Sequence, residues 1–274
     1  MRIDSHHHFW HYQPSRDTWI TDEMSVLKHD YLPAQLRRLL HDHDFDGSVA
    51  VQADQSEDET AFLLSLAEAN SYVKGVVGWT DLRSPDLRQR LTYFKSFTKL
   101  KGFRHVVQSE KKGFLNDPVF REGVRLLAEF NFTYDLLIYH HQLDEAIEFV
   151  RHLPEVKIVI DHLAKPNIRA GEKTHWELQM AAMATFPNVF CKLSGMVTEA
   201  SWNEWKKDDF FPYLDEVLEA FGSERLMYGS DWPVCLLAGN YDAQLEIVES
   251  YLSGLRADER QAIMGGNAIK FYTL

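Results

Sequence analysis

The sequence predicts an α/β protein that folds as one (β/α)8 barrel, the TIM-barrel architecture, with residues 1–274 as a single domain. Eight short β-type runs recur along the chain, and segments with helical periodicity separate them. This regular alternation favours a closed parallel barrel. The length of 274 residues also suits one barrel, which typically needs roughly 250 residues. An open doubly wound sheet is the second possibility, but no Gly-x-Gly-x-x-Gly follows any predicted strand, which weakens its dinucleotide-binding version.

The predicted strands are short, and several are continuous apolar runs. Lys157-Ile158-Val159-Ile160 is the clearest example. Parallel strands that are covered on both faces have this pattern, because neither face meets water. The eight predicted strands are Arg2–His8, Ser48–Ala53, Gly75–Asp81, Lys101–Val107, Phe132–Ile138, Val156–Asp161, Val189–Ser194 and Leu226–Asp231.

Three of the segments between the strands carry clear helix signals. Apolar residues from Phe62 to Ala67 recur at helical spacing after an acidic pair. Asn116-Asp117-Pro118 resembles an N-cap followed by proline in the first turn of a helix. A third apolar face, from Tyr213 to Phe221, ends before Gly222, which is a typical helix stop.

The connections after the first and seventh strands are long. They are Phe9–Tyr31 and Gly195–Asp209, and both are rich in aromatic residues. Long loops at the C-terminal ends of barrel strands are where substrate contacts are usually placed. We therefore expect their aromatic side chains to contact substrate, to pack over the barrel mouth, or to do both.

Composition restricts the classes of partner. The formal net charge is −12 and no long basic run occurs, which argues against nucleic acid or an anionic membrane. No apolar stretch of about 18 residues occurs, and Met1-Arg2-Ile3-Asp4 is too polar for a signal peptide. Cys191 and Cys235 form neither a disulfide framework nor a zinc-ribbon spacing. We expect a cytoplasmic protein with a small-molecule partner; the sequence sets no oligomeric state.

Residues that can carry chemistry stand at the ends of three predicted strands. Asp4, His6 and His8 share one parity on the first strand, so they should point to one side, whereas His7 should point to the other. His162 directly follows the sixth strand, at its mouth end, and Asp231 ends the eighth. Because strands one and eight are neighbours in a closed barrel, these side chains should meet at the mouth. Such a group suits either a metal ion or stabilisation of a developing negative charge.

Several motifs together resemble the amidohydrolase superfamily, and more narrowly its branch of sugar lactonases and pyrone-dicarboxylate hydrolases. The segment from Trp19 to Met24, with Asp30-Tyr31-Leu32-Pro33, is similar to the L-fuconolactonase and L-rhamnonolactonase type. Ala164 stands where glycine is common in the sixth-strand motif. The motifs that carry the wider resemblance are Asp4-Ser5-His6-His7-His8-Phe9-Trp10, Asp161-His162-Leu163-Ala164-Lys165-Pro166, Lys192-Leu193-Ser194-Gly195, Tyr228-Gly229-Ser230-Asp231-Trp232-Pro233 and Gly266-Asn267-Ala268.

The resemblance implies a barrel that hydrolyses a carbonyl compound, here a small-molecule sugar lactone, with water activated at Asp231. A carboxylate with an ordinary pKa near 4 is ionised at pH 7 and can act as general base. His6, His8 and His162 would polarise the carbonyl or, together with Asp231, hold one metal ion. The further candidates for binding the substrate are Arg104, His105, Gln52, Lys192 and Trp19, with Trp10 beside Trp19. By strand alternation only one of Arg104 and His105 should face inward.

The cofactor prediction has two alternatives. Neither the fourth strand, around Arg104, nor the fifth, around Asp135, supplies the bridging ligand of a binuclear centre, so a binuclear centre is not expected. One Zn²⁺-like divalent ion or no metal at all remain possible, and the resemblance to pyrone hydrolases slightly favours turnover without metal. The alternative functions are a metal-dependent decarboxylase of the same superfamily and a pyrone-dicarboxylate lactonase.

Overall fold

The computed structural model describes residues 1–274 and contains one sheet of eight strands in the order β1-β2-β3-β4-β5-β6-β7-β8. Every neighbouring pair in this order is parallel. The predicted (β/α)8 fold class is therefore confirmed. The strands are β1 (Ile3–His7), β2 (Gly47–Val51), β3 (Val73–Gly78), β4 (Leu100–His105), β5 (Thr133–Leu136), β6 (Ile158–Ile160), β7 (Val189–Leu193) and β8 (Leu226–Tyr228).

Helices surround the sheet, and their ends follow the expected capping chemistry. Asp117 caps α4 by accepting a hydrogen bond from the Val119 amide, and Pro118 occupies the first turn. Gly222, with φ of 66°, follows the last residue of α7. The helices are α1 (Pro33–Asp42), α2 (Glu57–Ala69), α3 (Leu87–Phe94), α4 (Pro118–Glu129), α5 (Leu143–Arg151), α6 (Thr174–Ala184), α7 (Phe211–Phe221), α8 (Tyr241–Leu252), α9 (Ala257–Gln261) and α10 (Asn267–Tyr272).

The barrel closes between β1 and the segment that follows β8. The amide of Asp231 donates a 2.8 Å hydrogen bond to the carbonyl of His6, and the amide of His8 donates a 2.7 Å hydrogen bond to the carbonyl of Trp232. His7 and Trp232 form a parallel bridge. The closure therefore runs through residues of the mouth rather than through β8 itself.

The last helix covers the opposite end of the barrel. Phe271 and Tyr272 of α10 are buried with Ile3, Val159 and Met227 in a separate apolar cluster of nine residues. The main core of 67 residues lies between the strands and the outer helices. The closed lower end leaves the mouth at the C-terminal ends of the strands as the open side of the barrel.

The strands end earlier than the sequence predicts, because the chain leaves the sheet where the mouth begins. The sequence predicts His162 and Asp231 at strand ends, whereas both lie in tight turns just after β6 and β8. Asp4 is a second difference, since it points to the Tyr241 hydroxyl of α8, at 3.4 Å, and not to the mouth. The register shifts between Asp4 and His7, which breaks the simple alternation. No helix is long and apolar enough to cross a membrane.

Candidate active site at the barrel mouth

His6 lies on β1 and His8 directly follows it, and both side chains project into the mouth and are buried. Their Nε2 atoms are 3.2 Å apart. His7 lies on the other side of the strand, fully buried, with its ring 2.9 Å from the Ser48 hydroxyl of β2. The three histidines therefore alternate as expected, with His6 and His8 on one side and His7 on the other, whereas Asp4 does not point to the side of His6.

Asp231 stands in a turn with a left-handed backbone, at φ of 55°. Non-glycine residues adopt this conformation rarely, and they cluster at functional sites. Just before it, Gly229 allows β8 to approach β1 closely. A Cβ on Gly229 would lie 2.6 Å from the Cβ of His6, so any side chain there would displace this histidine.

His162 begins a run of four left-handed residues that ends at Lys165. The run turns the chain sharply at the end of β6 and aims the imidazole across the mouth. Its ring packs against Gly195, where an added Cβ would lie 2.4 Å from Nδ1 of His162. Ala164, which replaces the more common glycine, has φ of 57° and is fully buried in this turn.

The three imidazoles and the carboxylate converge on one point. Oδ1 of Asp231 is 3.4 Å from Nε2 of His8, 3.8 Å from Nε2 of His6 and 3.9 Å from Nε2 of His162. The sequence-predicted group of four is therefore brought together, with Nε2 as the inward atom of each ring.

The opposite nitrogen of each ring has its own partner. Nδ1 of His8 lies 2.8 Å from the Val51 carbonyl, which can only accept a hydrogen bond, so Nδ1 carries the proton. Nδ1 of His162 lies 2.9 Å from the Ser194 hydroxyl. In the tautomer with the proton on Nδ1, His8 presents an unprotonated Nε2 to the mouth, which suits a metal ligand better than a hydrogen-bond donor.

Burial and neighbouring charges set the protonation states. Burial lowers the pKa of His162 to about 4 and moves the pKa of His6 well below its usual value, so both rings are neutral at pH 7. Burial alone would raise the pKa of Asp231, but the facing His162 holds it below its usual value. Asp231 is therefore an ionised carboxylate at neutral pH.

A network of buried charges lies directly beneath the histidines. Lys192 Nζ is 3.0 Å from Oδ1 of Asp161 and 3.1 Å from Nδ1 of His6, and it also pairs with Asp135. Arg104 Nη1 is 3.1 Å from Oδ2 of Asp161. Two cations thus balance two carboxylates in a buried layer, and the layer fixes the position of His6.

The mouth opens into a cavity of about 320 Å³. Of the sequence-predicted substrate binders, Arg104 and Trp19 line it, as does Trp10. The further lining residues are His8, Ala53, Asp54, Gln55, Val106, Gln108, Ser109, Leu137, His162, Lys165, Asp231 and Val234.

Three sequence-predicted binders lie elsewhere. His105 points outward between β4 and the helices, with its ring 4.9 Å from that of Phe114 and its Nε2 2.8 Å from Glu110. Lys192 is fully buried in the layer below the site. Gln52 is fully buried and donates to the Arg104 carbonyl at 3.2 Å, so it supports Arg104 instead of meeting the cavity.

Sequence reasoning missed Asp135, Asp161 and Lys165. The first two are carboxylates on or directly after apolar strands, and Lys192 lies on another such strand. Charged residues inside otherwise apolar strands are themselves a signal, because they must be paired when buried. Lys165 gave no such signal, since only the left-handed turn after His162 brings it to the cavity.

The donor set fits a single metal ion. Oδ1 of Asp231 lies 3.4 to 3.9 Å from the Nε2 atoms of the three histidines, and the Nε2 atoms of His6 and His8 are 3.2 Å apart. Oδ1 of Asp161 is buried 3.3 Å from Nδ1 of His6 and 3.0 Å from Nζ of Lys192. It can accept a proton from Nδ1 when Nε2 is a ligand, as in carboxylate–histidine–metal arrangements.

Comparisons with known proteins agree with this architecture. The chain is 42% identical to an L-fucono-1,5-lactonase of Burkholderia multivorans, over 100% of this chain and 96% of the relative. It is 34% identical to an L-fucono-1,5-lactonase of Burkholderia ambifaria, with the same coverage. A crystal structure of a Burkholderia multivorans amidohydrolase with bound zinc has a TM-score of 0.97 and 42% identity, over 100% of this chain and 99% of that one.

The family model described as amidohydrolase matches residues 3–274, which include both β1 and the last helix. The barrel, the histidine pair on its first strand and the aspartate after its last strand all lie within this match. This protein belongs to the amidohydrolase family.

Proposed function

We propose that this protein hydrolyses a sugar lactone, with L-fucono-1,5-lactone as the first substrate to test, and releases the aldonic acid. The observation that carries the proposal is the Asp231 carboxylate facing three imidazole Nε2 atoms at the wall of a cavity. The lactonase relatives support a lactone as substrate class. They favour this reaction over decarboxylation of an aromatic acid and over pyrone-dicarboxylate hydrolysis.

Asp231 is the general base in the proposed mechanism. Its low pKa keeps it ionised, so it accepts a proton from the attacking water. The water oxygen bonds to the carbonyl carbon, and the bond from this carbon to the ring oxygen then breaks. The ring oxygen takes up the proton held by Asp231, and the new carboxylic acid loses its proton to solvent. Asp231 is thus regenerated as a carboxylate.

His6, His8, His162 and Asp231 would hold one divalent ion of the Zn²⁺ type. Such an ion, when bound, polarises a carbonyl oxygen and lowers the pKa of a coordinated water. The lone pair that His8 presents to the mouth supports this role over direct hydrogen bonding to the substrate. A second ion is disfavoured, because Arg104 and Lys192 already supply positive charge around Asp161. We therefore propose a mononuclear site.

The cavity wall supports a sugar ring as ligand. Trp10 and Trp19 form an edge-to-face pair with centroids 6.0 Å apart, and 43% of Trp19 is exposed at the rim. Aromatic faces suit the apolar C–H side of a sugar, and Val106, Leu137 and Val234 provide apolar surface for a deoxy-sugar methyl group. We propose that Arg104 and Trp19 contact the substrate.

A panel of sugar lactones, assayed by acid release with a pH indicator, tests the proposal. The panel contains L-fucono-1,5-lactone, L-rhamnonolactone and their C6-hydroxylated counterparts. We expect turnover of at least one 6-deoxy lactone. Turnover of aromatic carboxylic acids by decarboxylation, with no lactone hydrolysed, would contradict the proposal.

A further inference from the structure

Lys165 places an ammonium group at the wall of the cavity that also contains Asp231 and His162. The left-handed turn fixes its backbone, since the Lys165 amide donates to the His162 carbonyl at 2.7 Å. Its carbonyl lies 2.7 Å from Nδ1 of His140. The same turn therefore positions both His162 and Lys165, one residue on each side of Leu163 and Ala164.

The side chain of Lys165 is held, but its hydrogen-bonding capacity is not used. Its Nζ lies 5.2 Å from the centre of the Tyr139 ring, within the range of a cation–π contact. The facing carboxylate of Glu199 is 3.7 Å away, which is an ion pair but too long for a hydrogen bond. Only 16% of the Lys165 side chain is exposed. Its N–H groups are thus available to a ligand in the cavity.

Arg104, the other cation at the cavity wall, already donates hydrogen bonds within the protein. Its Nη1 donates to Asp161 and its Nη2 donates to the Gln52 carbonyl. Lys165 is consequently the cation that can turn its donors to a new anion without breaking a hydrogen bond within the protein.

Hydrolysis changes the charge of the ligand, because a neutral lactone becomes a carboxylate beside the anionic Asp231. We propose that Lys165 is the residue that binds the carboxylate of the aldonate product, and that the product carboxylate competes with Glu199 for its ammonium group. This inference rests on the proposed function. A charged hydrogen bond formed only with the anion distinguishes product from neutral polyol.

Calorimetric titration with L-fuconate and with the neutral polyol L-fucitol tests the inference. We expect Lys165→Met to weaken L-fuconate binding about 10- to 100-fold, the range for one hydrogen bond to a charged group, and to change L-fucitol binding by less than about 3-fold. Lys165→Arg should retain most of the L-fuconate affinity. Lys173→Met is the matched control, because Lys173 also pairs with a glutamate, Glu216 at 2.7 Å, away from the cavity.

Glu199→Gln provides an independent test that keeps Lys165 in place. Removing the competing carboxylate should tighten L-fuconate binding about 2- to 5-fold, whereas a merely structural role of the pair predicts weaker binding. If wild type hydrolyses the lactone but Lys165→Met binds L-fuconate as wild type does, the inference is wrong and the proposed function stands. If wild type hydrolyses no sugar lactone and binds no aldonate, both are overturned.

Discussion

The amide of Asp231 donates a 2.8 Å hydrogen bond to the carbonyl of His6, so the contact that closes the barrel also sets the carboxylate against the histidine pair. Strands one and eight are the first and last of the sheet, and this bond joins them at the mouth. The site therefore depends on barrel closure, because the first strand and the turn after the last strand form it together.

Asp231→Asn should lower kcat on a sugar lactone by about 10²- to 10⁴-fold, because asparagine cannot accept a proton from water. Steady-state kinetics on the preferred lactone measures the loss, and circular dichroism checks the fold. Asp208→Asn is the matched control, since Asp208 is an exposed carboxylate in the loop after β7. Near wild-type turnover by Asp231→Asn would show that another group is the base.

Elemental analysis after dialysis against zinc should find one ion per chain. We expect His8→Ala to weaken zinc binding by more than the roughly 10- to 100-fold that loss of an outer-shell partner costs. His175→Ala, with a side chain that is 77% exposed, is the control. Chelation should lower kcat and added zinc should restore it. Two tightly held ions would refute the mononuclear site, and full turnover after chelation would favour the metal-free alternative.

Gly195→Ala should be more damaging than Gly171→Ala, although both glycines have φ near +60° to +67°. The backbone strain of alanine, about 1 kcal/mol or more, is common to both variants. At Gly195 the new Cβ would also lie 2.4 Å from Nδ1 of His162, whereas at Gly171 it would meet nothing within 4 Å. Only Gly195→Ala should reduce kcat, by at least about 10-fold for a displaced catalytic group. Equal kinetics in both variants would argue against a role for the His162 position.

Glu59→Gln should stabilise the protein at pH 8 and have little effect near pH 4.5. Burial raises the pKa of Glu59 from 4.5 to about 7, so the folded protein retains a proton that the unfolded chain releases between these values. The free energy of unfolding of wild type should therefore fall, relative to the variant, as pH rises through this window, by at most about 3 kcal/mol. Urea unfolding at several pH values measures this difference.

The matched control for Glu59→Gln is Glu68→Gln, an exposed residue on the same helix, α2. Its free energy of unfolding should follow that of wild type across the whole pH range. A pH-independent gain in Glu59→Gln would mean that the side chain is stabilised by packing and not by its protonation state.

The eight-strand pattern was predictable because short β-type runs, several of them continuous and apolar, alternate with helical segments. His6, His8, His162 and Asp231 were predictable because they stand at the ends of such runs. Their convergence followed from barrel geometry alone. Alternation could not decide which of Arg104 and His105 faces the interior of the barrel. Which face of β4 points inward depends on how the strand packs against its neighbours. The register shift in β1 between Asp4 and His7 is likewise not visible in simple alternation.

Lys192 shows a different limit of sequence reasoning. A lysine on a strand near the mouth predicts a substrate contact, yet this side chain is neutralised by Asp135 and Asp161 from two other strands. Such pairing depends on strands that are distant in sequence and brought together only by the fold. Lys165 and Glu199 are likewise separated by α6 and β7.

Tyr272 of α10 reaches into the barrel from its lower end, and its hydroxyl lies 2.7 Å from Oδ2 of Asp135, which pairs with the Lys192 that supports His6. A chain that has formed every strand but has not docked α10 therefore lacks one partner of these buried charges. The histidines at the open end of the barrel are thus linked, through Asp135 and Lys192, to a helix that docks at the opposite end.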